Sequence, residues 1–125
     1  MKHESGRSQN IEEYLEEMYR TEAEKRGIST KGLAKSLRIK MPSVSEMLVK
    51  LRKMGFIEYE VRGIIRLTKK GRKIGKGVYD KFTRLRGFLE SLGMDRKDSE
   101  KEACILEHAI SEKLMKLIER RIAKE

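Results

Sequence analysis

The segment that most restricts the fold of this 125-residue chain runs from Met41 to Gly55. Pro42, the only proline in the sequence, stands where proline is tolerated, in the first turn of a helix. Val44, Met47, Leu48 and Leu51 follow at i, i+3, i+4 and i+7, a single apolar stripe facing a core. Gly55 is placed to end the last turn in the left-handed conformation. Ser43, Ser45, Glu46, Lys50 and Lys53 lie opposite the stripe, short hydrogen-bonding groups first and long cations later. An ordinary surface helix has the same pattern, so the neighbouring segments decide its meaning.

Upstream, Ser29 or Thr30 opens a short helix through Leu33, Ala34 and Leu37, and Arg38-Ile39-Lys40 turns the chain into the next helix. That is a helix-turn-helix pattern. Downstream, Phe56 to Val61 is rich in strand formers, Arg62-Gly63 makes a turn, and Ile64 to Thr68 returns as a second strand. A hairpin directly after a helix-turn-helix predicts a winged helix over residues 10–68, with Arg62 at the wing tip. Asn10 is the expected cap of a preceding helix with Ile11, Tyr14, Leu15, Met18 and Tyr19 on its buried side. Glu12, Glu13, Glu16 and Glu17 crowd its first turns. Their plainest reading is solvation for Glu12 and Glu17 and a capping-box role for Glu13.

From Thr68 the spacing predicts a long helix to Leu92, ended by Gly93, with Ile74, Val78, Phe82, Leu85, Leu89 and Leu92 on its apolar side. Asp95 begins another helix, with Ala103, Ile105, Leu106, Ala109 and Ile110 apolar. Ser111 begins a last one, with Leu114, Leu117, Ile118 and Ile122 apolar. The expected fold is therefore mostly α: a winged helix-turn-helix domain over residues 1–70 and an all-helical domain over residues 71–125. So short a helical unit has little core of its own and gains by packing against a copy of itself. Ile74, Val78, Leu85, Leu89, Leu114, Leu117 and Ile118 are the expected dimer-interface residues. A C2 homodimer would also space two recognition helices about 34 Å apart, as a palindromic operator requires. A monomer with these helices folded onto the winged helix is the alternative.

Charge points to the same partner. The net charge is +10, and it is concentrated: residues 28–93 hold 17 basic and five acidic side chains. Such a surplus around a helix-turn-helix favours double-stranded DNA. Ser43, Ser45 and Glu46, with Pro42 at the helix start, are placed for base edges, Glu46 as an acceptor for a cytosine amino group. Lys31, Lys40, Lys50, Lys53 and Arg62 are placed for phosphates. No apolar run approaches the roughly 20 residues of a transmembrane helix. One cysteine, Cys104, leaves no internal disulfide. A cytoplasmic protein with no membrane partner and no small-molecule substrate is expected. An enzyme is not, since no nucleophile-base set or phosphate loop is present.

Cys104, Glu107 and His108 place a thiol, a carboxylate and an imidazole at i, i+3 and i+4 on one helical face, the spacing at which side chains reach a common ion. Glu13 and Glu16, again three apart, add two oxygen donors if their helix docks nearby. The unremarkable reading is a buried filler cysteine beside a surface Glu-His pair.

With these motifs the chain resembles the diphtheria-toxin-repressor/manganese-transport-regulator family of metal-dependent repressors. The residues that carry the resemblance are Ile11 to Tyr19, Pro42 to Leu48, Arg66 to Arg72 and Glu102 to Ser111. It implies a winged helix, a helical dimerisation domain and a divalent metal that stabilises the DNA-binding geometry, in a short form without the SH3-like domain of larger members. It also implies that Glu13, Glu16, Cys104, Glu107 and His108 are the ligands. One position departs: Phe82 stands where the long helix should offer a histidine. Arg86 and Glu100 stand where an ancillary site would have a carboxylate and a histidine, so that second site is expected to be absent.

Three carboxylates, an imidazole and a thiolate suit Mn2+ or Fe2+, with Co2+ compatible and Zn2+ competing through sulfur. The expected function is a homodimeric, metal-dependent transcriptional repressor in Mn or Fe homeostasis. The alternatives are a constitutive winged-helix DNA-binding regulator whose metal site has degenerated at Phe82, and a protein-interaction module.

Overall fold

A computed structural model describes residues 11–59 and 63–124. The expected Asn10 cap and the wing-tip Arg62 lie outside the described residues. In order, the elements are α1 (Ile11–Ala23), α2 (Thr30–Leu37), α3 (Met41–Lys53), β1 (Ile57–Tyr59), β2 (Ile65–Leu67), α4 (Lys69–Ser91), α5 (Arg96–Ala109) and α6 (Glu112–Ala123). The chain forms two compact units that divide within α4, between Tyr79 and Asp80.

The first unit is a winged helix. Its core joins Tyr14, Leu15 and Met18 of α1, Leu33 and Leu37 of α2, Val44, Leu48 and Leu51 of α3, and Phe56, Ile57, Ile65 and Leu67 around the hairpin. These are the stripes read from the sequence. Ser29 caps α2 by accepting a hydrogen bond from the Gly32 amide at 2.9 Å. Arg38 ends α2 in the left-handed conformation, φ 59°, and turns the chain toward α3. Gly55 follows α3 with φ 82°, the left-handed geometry anticipated there. Among the described residues Phe56, Ile64 and Thr68 fall outside the strands; β1 and β2 pair antiparallel, with Ile57 opposite Leu67 and Tyr59 opposite Ile65.

The first turns of α4 belong to this unit. Thr68 caps α4 through its Oγ1, which accepts from the Gly71 amide at 3.1 Å and donates to the Gly55 carbonyl at 2.7 Å. Two glycines then let α4 press against backbone. A Cβ at Gly71 would overlap the carbonyl oxygen of Phe56, and one at Gly75 the carbonyl oxygen of Leu15. Glycine is needed here for close approach rather than for its dihedral freedom. Tyr79 continues the same face, its ring 5.8 Å from that of Tyr19 and under the Arg20 guanidinium at 5.5 Å.

The second unit holds the end of α4 with α5 and α6. Gly93, φ 103°, follows α4, and Asp95 and Ser111 cap α5 and α6 by accepting from the amides of Asp98 and Leu114. Arg84 pairs with Glu119 at 2.9 Å, and Arg96 with Glu90 at 3.2 Å. The buried row of α5 is Ser99, Ala103 and Glu107, spaced four apart. This corrects the apolar face read from the sequence: Ile105 is 61% exposed and Ala109 is exposed, while Leu106 and Ile110 are half-buried. In α6 the buried residue is Met115, and Leu114 and Leu117 are largely exposed.

Of the residues expected at a dimer interface, Val78 and Leu85 are buried within the chain, while Ile74 is half-buried against the winged-helix core. Leu89 and Ile118 are half-buried, and Leu114 and Leu117 are exposed. Glu17, expected in solvent, is buried, with the Arg20 guanidinium 3.8 Å away.

Gly75→Ala should lower stability by about 1–3 kcal/mol, the range for overpacking. Gly77→Ala, in the same helix with open space around the added methyl, should raise it by about 0.5–1 kcal/mol. Chemical denaturation of both variants checks this. Effects of the same sign would contradict the close approach of α4.

Candidate metal centre and nucleic-acid interface

The face of α3 turned away from the core is set by its buried stripe. Pro42, Ser43, Ser45, Glu46, Lys50 and Lys53 are all exposed, as are Lys31 on α2 and Lys40 before α3. From Ile28 to Gly55 the basic side chains are Lys31, Lys35, Arg38, Lys40, Lys50, Arg52 and Lys53, and the single acid is Glu46. The result is a positive face with one acceptor near its centre.

The C-terminal end of α3 is fastened to the base of the hairpin. The Arg52 guanidinium stacks 5.2 Å from the centre of the Tyr59 ring. The Lys70 ammonium donates to the Met54 carbonyl at 3.2 Å and lies 4.9 Å from the Phe56 ring centre. On the other side of the hairpin, one Glu22 carboxylate oxygen accepts from Arg72 at 3.0 and 3.1 Å, and the other accepts from the Leu67 amide at 3.3 Å. Arg72 also donates to the Leu67 carbonyl. Sequence reading missed this clamp, since Glu22 and Arg72 lie fifty residues apart in no common pattern. The glycines of α4 did leave a signal: Gly71 and Gly75 stand four apart on one helical face.

The five candidate metal ligands fall into two groups, one in each unit. In the first, every residue from Glu13 to Met18 is buried, and Glu13 and Glu16 are 0% exposed. Burial, and then the charge of Glu13, push the Tyr14 phenol above the ordinary tyrosine range, so it stays protonated.

In the second group, Glu107 is 2% exposed and its two oxygens accept no hydrogen bond. Its Oε2 lies 3.1 Å from Nε2 of His108, without the geometry of a hydrogen bond. Cys104 is half-buried one turn earlier. A buried carboxylate that accepts no hydrogen bond, beside an imidazole, suits a divalent cation, because buried charge is otherwise paired or neutralised. Among the described residues, however, no three His, Cys, Asp or Glu side chains are already arranged around one point.

Phe82, Arg86 and Glu100 form a unit of their own. The Arg86 guanidinium lies 5.5 Å from the centre of the buried Phe82 ring and 3.5 Å from Glu100 Oε2. Arg86 Nε is itself buried without a hydrogen-bond partner. A side-chain cation therefore occupies the positions where the sequence resemblance placed ancillary ligands.

Two family models match adjoining parts of the chain. The N-terminal DNA-binding domain of iron-dependent repressors matches residues 7–64, and the metal-binding and dimerisation domain of those repressors matches residues 68–124. An HTH-type transcriptional regulator of Methanocaldococcus jannaschii is 44% identical over 110 residues, covering 86% of this chain and 88% of that protein. The HTH-type transcriptional regulator MntR of Shouchella clausii is 35% identical over 103 residues, covering 82% and 71%. Among solved structures, the manganese regulator SloR is similar with a TM-score of 0.78 at 27% identity, covering 94% of this chain. This chain spans about half of that one, 55%.

Glu22→Ala should leave the Leu67 amide without its side-chain acceptor and Arg72 without its ion pair, at a cost of about 1–3 kcal/mol. Denaturation together with amide exchange at Leu67 checks it. Unchanged exchange at Leu67 would show that the clamp does not hold the hairpin.

Proposed function

This chain belongs to the iron-dependent repressor family, and from that premise we propose how its residues divide the work. The protein is a DNA-binding, metal-dependent transcriptional regulator that acts as a homodimer, and it is not an enzyme. Its cofactor is a divalent transition metal. Manganese, named for the SloR structure, and iron, named for the family, are the metals that its donor set also suits. Operator binding is work done in the cytoplasm, which agrees with a single free cysteine.

The ligand set is Glu13 and Glu16 of α1 with Cys104, Glu107 and His108 of α5. The observation that carries this assignment is the burial of three carboxylates, one of which accepts no hydrogen bond. When bound, the ion supplies the positive charge that three buried carboxylates and a thiolate need. The residues do the rest. His108 and the buried Glu107 would each offer a donor to the ion. Cys104 would contribute as thiolate, so that binding would release a proton and weaken at low pH.

Because the donors come from two helices, an ion that held them together would restrict the winged helix to the geometry that reads DNA. That equilibrium moves decisively only if the ion favours the competent state by about 5 kcal/mol. Arg86, over Phe82 and beside Glu100, fills the ancillary positions with a tethered cation, leaving one ion per protomer.

On DNA, α3 enters the major groove with Ser43, Ser45 and Glu46 toward base edges. Lys31, Lys40, Lys50 and Lys53 meet phosphates. The C2 axis of the dimer makes the operator palindromic. Leu89, Leu114, Leu117 and Ile118 are the accessible apolar side chains offered to the partner copy.

Calorimetric titration with Mn2+, Zn2+ and, under anaerobic conditions, Fe2+ tests the ligand set. One ion per chain is expected, with His108→Ala weakening the affinity at least about tenfold, the lower bound for disturbing a metal's surroundings. Two ions per chain, or an unchanged His108→Ala isotherm, would overturn it.

A further inference from the structure

The middle of α3 carries on its outward face a side chain that neither charge nor core packing explains. Val49 is 51% exposed in the middle of that helix, and it is not among the side chains packed against the winged-helix core. Its neighbours one turn before are Ser45 and Glu46, and one turn after, Arg52 and Lys53, all exposed. A valine there is unfavourable on two counts. A β-branched residue forms helix less readily than Ala, and half of an aliphatic side chain stays in water. In the isolated protein nothing described offsets either cost.

The surface on which Val49 sits is the one that meets the DNA major groove, so the compensating contact has to come from that groove. Its polar edges offer donors and acceptors, which a valine cannot use. The one apolar group it presents is the C5 methyl of thymine. We propose that Val49 of α3 packs against a thymine C5 methyl group and makes the protein discriminate at that base pair. The inference rests on the reading of α3 as the DNA-recognition helix. Glu46, three residues earlier, lies about 4.5 Å back along the helix axis. That distance is comparable to the 3.4 Å rise per base in DNA. The carboxylate of Glu46 and the methyls of Val49 therefore address base pairs one or two steps apart, the first as acceptor for a cytosine amino group and the second as a cover for a thymine methyl.

The test uses the full-length, Mn2+-loaded protein and an operator duplex selected by it from random double-stranded DNA. Each thymine is replaced in turn by deoxyuridine, which removes the C5 methyl alone, and affinity is read by fluorescence anisotropy for wild type and Val49→Ala. One thymine per half-site should emerge whose replacement weakens wild-type binding about fourfold, the worth of a methyl group taken from water. Val49→Ala should bind the unmodified duplex more weakly and be indifferent to that same replacement. Val49→Thr, which keeps one methyl and the β-branch, should respond in between. Val49 is exposed and alanine forms helix more readily than valine, so Val49→Ala should melt no lower than wild type.

If no thymine is sensitive, or if the sensitive one remains so in Val49→Ala, the Val49 contact is wrong while the reading of α3 stands. If the protein selects and binds no duplex, the reading of α3 falls and the Val49 contact falls with it.

Discussion

Carboxylates out of water are the constraint on which the functional account turns. Glu13, Glu16 and Glu107 are buried, and helix propensity alone would not put them there. Desolvating a carboxylate costs several kcal/mol unless a counter-charge or hydrogen bonds compensate. Glu107 accepts no hydrogen bond, and its neighbour His108 approaches only one of its oxygens. Burial of this kind stores an affinity for cations in the fold. It is also selective in a limited sense: a mixed set of oxygen, nitrogen and sulfur donors separates divalent metals poorly by affinity alone, so metal supply and geometry contribute to which ion acts. Arg86 shows the same electrostatic logic solved covalently, a positive charge supplied by the chain and held by an aromatic face and Glu100.

A switch of this kind has value only if the reading head is rigid. The helix α3 is held along its whole length: Val44, Leu48 and Leu51 anchor it to the core, and Thr68 bonds to Gly55 just beyond its end. Arg52 on Tyr59 and Lys70 on Met54 add two more ties to the hairpin and to α4. Gly71 and Gly75 bring α4 against the backbone of Phe56 and Leu15, which is why their space matters more than their flexibility. Side chains held this firmly can discriminate bases with few contacts.

Most of the fold was legible because its signals are local. Ser29, Asp95 and Ser111 cap the helices they precede, and Gly55 and Gly93 end theirs with positive φ. What escaped was decided by partners distant in sequence. An apolar row such as Val78 and Leu85 says that a face is covered but not by what, and both side chains are buried within the chain. The buried row Ser99, Ala103 and Glu107 has no hydropathy to reveal it, while the conspicuous Ile105 is in solvent. Glu22 and Arg72 meet only after folding. The candidate ligands drew notice through the spacing of thiol, carboxylate and imidazole and through the family resemblance, but the depth of Glu13, Glu16 and Glu107 did not show, since a glutamate in an acidic helix reads as solvated. Glu17, buried like its neighbours, shows how far that reading misleads.

The central claim is that an ion held by Glu13, Glu16, Cys104, Glu107 and His108 favours the DNA-binding state. It is tested most directly by measuring operator affinity at one fixed low salt concentration, since phosphate contacts make any affinity salt-dependent. Wild type and Glu107→Ala would be compared with Mn2+ and with chelator. The account requires wild-type affinity about 10- to 100-fold higher with Mn2+, the usual size of such coupling, and little or no gain for Glu107→Ala. Equal wild-type affinity with Mn2+ and with chelator would contradict it, leaving a winged helix that binds DNA without a metal switch.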